Sequence, residues 1–125
     1  MNRSIFLLIT VFILVAGCGN DPIEMEGFDE LSWKSDTYGC KGQRIGQLET
    51  IRSNADVLLG KTQNEIKDFL GAPDEHELYE RTRKFFYYYL EPNEKCSDMK
   101  GSQPRILQIR FSAMGIANEL FVRNE

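Results

Sequence analysis

Residues 59–73 read LGKTQNEIKDFLGAP and contain both ends of one short helix. Thr62 and Glu65 have the spacing of a capping box, in which each side chain accepts a hydrogen bond from the other residue's backbone N–H. Gly71 and Pro73 end the helix, because glycine tolerates the left-handed conformation and proline cannot continue a helix. Between these ends lies a short apolar stripe at helical spacing, formed by Ile66, Phe69 and Leu70. The segment therefore predicts a short helix with one buried face.

A second helix is predicted directly before this one, from Gln43 to Leu59. Its apolar residues recur mostly at steps of three and four, so they share one helical face. They are Ile45, Leu48, Ile51, Ala55, Leu58 and Leu59. Gly60 follows at the position where glycine commonly ends a helix. Two helices joined by so tight a turn predict a helical hairpin.

The chain changes character after the hairpin. Residues 83–90 read RKFFYYYL, and this density of aromatic residues favours a strand. Residues 105–112 and 116–123 carry alternating apolar and polar side chains around a short turn, which predicts two more strands. The acidic run before the first strand is interpreted as solvated, and it contains Asp74, Glu75, Glu77 and Glu80. The predicted fold is α+β, a two-layer sandwich with a helical hairpin packed on a three-stranded antiparallel sheet, in the order α-α-β-β-β.

The N-terminal residues indicate a lipoprotein leader. Arg3 precedes an apolar run, residues 5–16, that is shorter than the roughly 20 residues a transmembrane helix needs. Small residues then precede Cys18 in a pattern similar to a bacterial lipobox, where the cysteine is acylated and the chain is cleaved before it. We therefore expect residues 1–17 to be a signal peptide and Cys18 to carry acyl chains, such as palmitate, that anchor the protein to a membrane. An uncleaved signal anchor is the alternative.

The expected location is the bacterial cell envelope. Gly19 stands where an aspartate would retain a lipoprotein in the inner membrane, so we expect the outer membrane. Residues 18–36 are predicted to be a lipid-anchored acidic tether and lead-in, with a sorting tag as the alternative role of the acidic part. Residues 37–125 are predicted to form the folded domain. The formal net charge of −4 leaves no basic surplus for phosphates, so no nucleic-acid partner is expected.

The chain has three cysteines, an awkward number for an oxidising compartment. Acylation of Cys18 would leave Cys40 and Cys96, and we predict that these two form a disulfide. A metal site or a reactive thiol is the alternative. Neither cysteine lies in a Cys-x-x-Cys motif, however, and the single histidine, His76, stands apart from both. We therefore expect no metal and no cofactor.

The capped helix is also where the chain resembles a known family. Residues 59–73 carry a Gly-x-Thr-x-x-Glu and Leu-Gly-x-Pro pattern similar to that of the SmpA/OmlA (BamE-like) small outer-membrane lipoproteins. The later strands match that family's pattern too, so the resemblance covers about residues 58–122. It implies a two-layer α/β sandwich and a non-catalytic accessory role in outer-membrane β-barrel assembly, through protein and lipid contacts. This chain differs by its cysteine pair, its lead-in at 33–41 and a long loop between strands.

No catalytic constellation is visible, and we expect the protein not to be an enzyme. The alternatives are a hydrolase that uses the acidic run and a module that binds a small ligand or lipid in an apolar cavity. The aromatic strand is the stronger candidate for a functional surface. The helices need to pack against only one of its faces, yet both faces carry large aromatic side chains. Large semi-polar side chains on the other face suit contact with an envelope protein partner. The candidate partner-binding residues are Phe85, Tyr87 and Tyr89. The alternative is that the lead-in or a loop covers them.

Overall fold

The computed structural model describes residues 21–79, 83–97 and 101–124. The predicted leader, the lipidation site Cys18 and Glu80 of the acidic run lie outside the described residues. Within the described ranges, no helix is both long enough and apolar enough to span a bilayer. The lipid anchor therefore stays a prediction.

Short helices form one layer of the fold. They are α1 (Glu30–Ser35), α2 (Leu48–Ser53), α3 (Ala55–Leu58) and α4 (Gln63–Leu70), with 3-10 turns at Thr37–Gly39 and Ile45–Gln47. The expected helical hairpin is thus replaced by several short helices. Asn54 separates α2 from α3 with φ −119° and ψ 25°, and its side-chain amide donates to the Thr50 carbonyl. An asparagine side chain that bonds to nearby backbone competes with the helix, which the apolar periodicity does not reveal.

The capped helix α4 begins and ends where its sequence indicates. Thr62 Oγ1 accepts from the Glu65 N–H at 3.2 Å, and the Glu65 carboxylate accepts from the Thr62 N–H at 3.3 Å. Gly71 ends the helix at φ 79°, in the region that glycine occupies without steric cost. Local chemistry alone therefore determines this element.

One antiparallel sheet forms the second layer, with four strands in the order β1-β2-β3-β4. They are β1 (Glu75–Tyr79), β2 (Arg83–Tyr89), β3 (Arg105–Phe111) and β4 (Ala117–Asn124). The prediction of a three-stranded sheet was wrong, because β1 is an additional edge strand that pairs with β2. Its first residue, Glu75, lies opposite Tyr87.

The sequence pattern misses β1 because this strand carries no hydrophobic signal. It reads EHELY, and its one aliphatic residue, Leu78, is 71% exposed. An edge strand needs backbone pairing with one neighbour only and can leave its side chains in water. Part of the acidic run interpreted as solvated is therefore an edge strand, and its Glu75 and Glu77 belong to β1.

The core lies between the helices and one face of the sheet, the inner sheet face. This face consists of Phe86, Tyr88, Leu107, Ile109 and Phe111, all at most 2% exposed. Trp33 of α1 and Leu58 of α3 are fully buried against it. Ile23 and Met25 join the same cluster at 8% exposure, although they belong to the segment expected to be a solvated tether. The packed part of the described chain therefore includes Ile23 and Met25.

Arg44 and Asp74 form a salt bridge beside this core. Nη1 of Arg44 lies 2.5 Å from Oδ2 of Asp74, and each side chain is only 2% exposed. Arg44 also donates from Nε to the Trp33 carbonyl and from Nη1 to the Tyr89 carbonyl. The guanidinium carbon stands 5.2 Å from the centroid of the Trp33 ring. One cation thus joins the lead-in, the segment before α2 and the end of β2.

The Asp74 carboxylate also binds two backbone groups. Oδ1 accepts from the Tyr38 N–H at 2.9 Å, and Oδ2 accepts from the Tyr89 N–H at 2.8 Å. Buried charges are tolerated when they are paired and their remaining hydrogen-bonding capacity is used. Asp74 meets both conditions, and its partners come from the lead-in, from Arg44 and from β2.

A second buried carboxylate shapes the turn that delivers Arg44. Asp36 is 0% exposed and accepts from the backbone N–H groups of Lys41, Gln43 and Arg44 at 2.6, 2.8 and 3.0 Å. A carboxylate that accepts several backbone N–H groups fixes the conformation of a loop that has no regular structure. The position of the Arg44 backbone therefore depends on Asp36.

We expect Arg44→Met to lower the free energy of unfolding by about 3–5 kcal/mol, because it leaves Asp74 buried without its cation. Urea unfolding followed by the fluorescence of Trp33, the single tryptophan, measures this change. Arg52→Met is the matched control. It breaks the exposed pair with Glu49 and should cost no more than about 1 kcal/mol. Equal unfolding midpoints for the two variants would contradict a central role of the buried pair.

Candidate functional site

The candidate site is the side of the sheet that faces away from the helices, the outer sheet face. Because side chains alternate along a strand, this face takes every second residue of each strand. Its centre consists of Phe85, Tyr87, Tyr89, Ile106 and Gln108. Its edges are formed by Glu75 and Glu77 of β1 and by Glu119, Phe121 and Arg123 of β4. The face therefore has an aromatic centre between one acidic edge and one edge of mixed charge.

The lead-in covers one end of the outer sheet face. Tyr38 packs on Tyr89 with 5.3 Å between ring centroids, and its hydroxyl donates to the Asp74 carbonyl at 3.1 Å. Tyr89 is 3% exposed and Ile106 is 1% exposed. At Tyr89, the structure thus corresponds to the alternative in which another segment covers the aromatic strand.

A disulfide holds this cover in place. Cys40, directly after the first 3-10 turn, is bonded to Cys96 in the loop between β2 and β3, which is the pairing that the sequence predicts. Asn93 of the same loop donates from Nδ2 to the Tyr38 carbonyl at 2.7 Å. Gly39 makes the close approach possible, since a Cβ there would lie 2.7 Å from backbone atoms at the end of β2. The lead-in and the loop therefore cover the sheet as one connected unit.

The base of that loop is closed by a second charged pair. Glu91 accepts from Nε of Arg105 at 2.8 Å and from the Arg105 backbone N–H at 3.0 Å. These hydrogen bonds hold the pKa of the Glu91 carboxyl below its usual range. The loop that carries Cys96 thus leaves and re-enters the sheet at a fixed point.

Within the described residues, the other end of the outer sheet face is accessible at Phe85 and Phe121, whereas Tyr87 is only 8% exposed. Phe85 is half-buried and stacks on Tyr87 with 6.4 Å between centroids and 14° between ring planes. Arg123 lies over the Tyr87 ring at 5.3 Å. Phe121 is 37% exposed and stands in the same row as Tyr87, with Gln108 between them. We call Phe85, Tyr87 and Phe121 the aromatic patch.

Tyr87 gives this patch a hydroxyl group that stays in one protonation state at neutral pH. Its hydroxyl donates to the Glu77 carboxylate at 2.8 Å. Burial and this hydrogen bond to an anion raise the pKa of Tyr87 to about 12. The hydroxyl therefore stays protonated at neutral pH and serves as a hydrogen-bonding contact rather than as a nucleophile.

The burial of Asp74 and the size of the clefts can be compared with the two alternatives, a hydrolase and a module that binds a small ligand or lipid. The Asp74 carboxylate is 2% exposed and already accepts hydrogen bonds from Tyr38, Arg44 and Tyr89, so it is not positioned to reach a substrate. Among the described residues, no group of three or more His, Cys, Asp or Glu side chains could hold a metal ion. An apolar groove between α2, α3 and β4 has a volume of about 200 Å³. Typical ligand pockets measure roughly 300–1,000 Å³.

A larger cleft of about 500 Å³ lies beside the start of α4. Its lining includes four carboxylates, from Asp21, Glu30, Glu65 and Asp68. Four carboxylates in the lining do not suit an anionic lipid headgroup. These two clefts therefore give little support to the alternative of a module that binds an anionic lipid or a small apolar ligand.

The structure separates the three predicted contact residues. Tyr89 lies under the lead-in, while Phe85 and Tyr87 lie in the other half, where Phe85 is half-buried and Tyr87 is 8% exposed. Sequence reasoning missed Phe121 and Arg123, which complete that half. Alternation along β4 could have found them, since both share a face with Glu119 when the strand is extended. It could not have found Tyr38, because nothing local indicates where the lead-in packs.

No family model, curated protein or solved structure matches this chain. The resemblance to the SmpA/OmlA lipoproteins therefore rests on the sequence pattern alone.

We expect reduction of the disulfide to lower the free energy of unfolding by about 4 kcal/mol, because the bridge joins residues separated by 56 positions and restricts the unfolded chain. Urea unfolding with and without a reductant measures the difference. A Cys40→Ala, Cys96→Ala variant should unfold early in both conditions. A reductant-sensitive midpoint in that variant would assign the effect to something other than this bridge.

We expect Glu77→Gln to lower the pKa of Tyr87 from about 12 toward the ordinary value of a tyrosine, because the substitution removes the anion that stabilises the protonated hydroxyl. The pKa should stay above the ordinary value, since burial remains. Alkaline titration followed by NMR of labelled tyrosines, assigned with Tyr87→Phe, measures it. Glu119→Gln, on the same face, should leave this pKa nearly unchanged, and equal shifts in the two variants would contradict the contact with Glu77.

Proposed function

We propose that this protein is a lipid-anchored lipoprotein of the bacterial cell envelope that binds another envelope protein and catalyses no reaction. Anchoring through Cys18 is supported by the leader pattern and by the pairing of the two other cysteines. Binding is supported by the aromatic patch on the outer sheet face. The observation that carries the proposal is that β2 has aromatic side chains on both faces, while the lead-in covers only one end of the outer one.

The aromatic patch has the composition of an interface centre. Tyrosine, phenylalanine and arginine are enriched where proteins bind each other, because they supply a large contact area and retain a hydrogen-bonding group. Phe85 and Phe121 provide apolar area, and Tyr87 and Gln108, which are 8% and 7% exposed, stand in the same row as Phe121. The patch is also stiff, since Tyr87 is held by both Glu77 and Arg123. A pre-ordered surface loses little side-chain entropy on binding.

The resemblance to the SmpA/OmlA lipoproteins suggests the class of partner. Under this proposal the partner is an integral outer-membrane protein or a component of the machinery that assembles such proteins. The disulfide and the lead-in distinguish this chain from that family's pattern, and they define the border of the proposed contact surface. The partner would therefore meet the sheet at the end that carries Phe85 and Phe121, and not at Tyr89.

The test is co-purification from membranes extracted with a mild detergent. The intact chain should retain an integral envelope protein, and Phe85→Ser should reduce the recovered amount about tenfold, the effect of removing one central contact. Leu31→Ser is the matched control, because Leu31 is 82% exposed but belongs to α1 in the helical layer. Equal recovery with both variants, or no specific partner with the intact chain, would contradict the proposal.

The anchor is tested in the same cells with Cys18→Ala. This variant should leave the membrane fraction and lose the partner, since binding then depends on free diffusion instead of a shared surface. Undiminished membrane association of the variant would contradict acylation at Cys18.

A further inference from the structure

The second surface of interest is the outer edge of β4, which ends the sheet on the side opposite to β1. The Leu90 N–H donates to the Arg105 carbonyl, so the odd-numbered residues of β3 direct their backbone groups to β2. The even-numbered residues of β3 then bond to β4, and their partners include Phe121 and Arg123. The backbone groups of the alternate residues, Leu120 and Val122, therefore point out of the sheet.

At the start of β4, the outward backbone groups already have hydrogen-bond partners. Further along the strand, the described residues provide none. The N–H of Ala117 donates to the Lys61 carbonyl, and its carbonyl accepts from the Gly60 N–H, both at 2.8 Å. Within the described part of the chain, nothing hydrogen-bonds to the outward backbone groups of Leu120 and Val122. A free edge of this kind is a template for another strand unless charge, proline or a bulge protects it.

The two edges of the sheet differ in this protection. β1 presents Glu75 and Glu77 on its outer-face side, which would repel a second copy of the same strand. β4 has an irregular register only near its start, where Phe111 of β3 pairs with Ala117. Beyond that point it carries Leu120, Phe121 and Val122 in sequence, without proline or lysine. The outer edge of β4 is thus the more apolar of the two sheet edges.

We propose that two copies of this chain pair through β4, antiparallel and two-fold symmetric, with Phe121 opposite Phe121. In this register Leu120 of one copy lies opposite Val122 of the other, so the outward backbone groups of both residues bond across the interface. Glu119 lies opposite Arg123 twice, because the two-fold axis repeats each contact. The strand is therefore complementary to itself in charge and in apolar character.

Neighbouring registers lose this complementarity. A shift that places Leu120 opposite itself pairs Glu119 with Phe121. A shift that places Val122 opposite itself pairs Leu120 with Asn124 and Phe121 with Arg123. Cross-strand pairs of opposite charge and of apolar side chains are the stabilising ones in a sheet. Only the register centred on Phe121 provides both kinds.

The surroundings of β4 suit a second copy. The apolar groove of about 200 Å³ is lined by residues that include Ile51, Ala55, Leu120 and Val122, so the aliphatic side chains of the second copy would lie beside it on the helical side. On the outer side, Glu119 already binds Arg110 at 2.7 Å, and Arg123 of the second copy would add another cation to that carboxylate. The combined sheet would have eight strands, with both aromatic patches on the same side.

The test is the mass of the full chain in detergent across a concentration series, by sedimentation or by light scattering. The intact chain should form dimers. Glu119→Arg and Arg123→Glu, each alone, should weaken the dimer about tenfold or more, because each variant places like charges opposite each other twice. A one-to-one mixture of the two variants should restore dimers, because every pair in the mixed dimer again has opposite charges. Glu94→Arg, in an exposed loop, is the control and should have no effect.

The register is tested by cross-linking. Phe121→Cys should form a disulfide between copies under mild oxidation, whereas Leu120→Cys and Val122→Cys should do so much less. A chain that remains monomeric throughout, a dimer insensitive to both charge changes, or preferential cross-linking at Leu120 or Val122 would overturn the proposal. Each result is independent of whether Phe85 contacts another protein.

Discussion

The Asp74 carboxylate is the constraint on which the arrangement of this protein depends. It follows Pro73 at the end of the helical layer and directly precedes β1, so both layers meet at this residue. Its partners are Arg44 from the segment before α2, Tyr38 from the lead-in and Tyr89 from β2. A buried anion tolerates little displacement, because its desolvation is offset only while these donors stay in place. The lead-in, the helices and the sheet are thus held in one relative position.

The outer sheet face follows from this arrangement. Asp74 binds the Tyr38 backbone, and this places the Tyr38 ring over Tyr89 at the end of β2. The disulfide then ties the same segment to the loop after β2. Two unrelated interactions therefore fix how far the cover extends, and the border of the proposed contact surface is a consequence of both.

Sequence reasoning succeeds here where the determining chemistry is local. The capping box at Thr62 and Glu65 specifies α4, and the aromatic density of residues 83–90 specifies β2, because each signal lies within its own element. The pairing of Cys40 with Cys96 was predicted from the number of cysteines that acylation of Cys18 would leave, and not from geometry. These elements needed no knowledge of the rest of the chain.

It fails where a residue is defined by a distant partner. β1 forms because β2 supplies backbone hydrogen bonds, so the polar sequence of β1 does not indicate a strand. Asp74 looks like one more acid in a solvated run, yet it is buried because Arg44 lies 30 positions earlier in the chain. Tyr89 looks like a contact residue until the lead-in is placed on it. The sequence could therefore place the candidate site on β2, but it could not predict which part of that strand another segment covers.

The bridge between Cys40 and Cys96 has a further consequence for the integrity of the molecule. It encloses α2, α3, α4, β1 and β2, so most of the helical layer and half of the sheet lie inside one covalent ring. A peptidase that cut any single bond within that ring would open it without releasing a fragment. The nicked protein would retain both pieces, with a gain in mass of one water molecule, and it would fall apart only when the sulfur–sulfur bond was also broken.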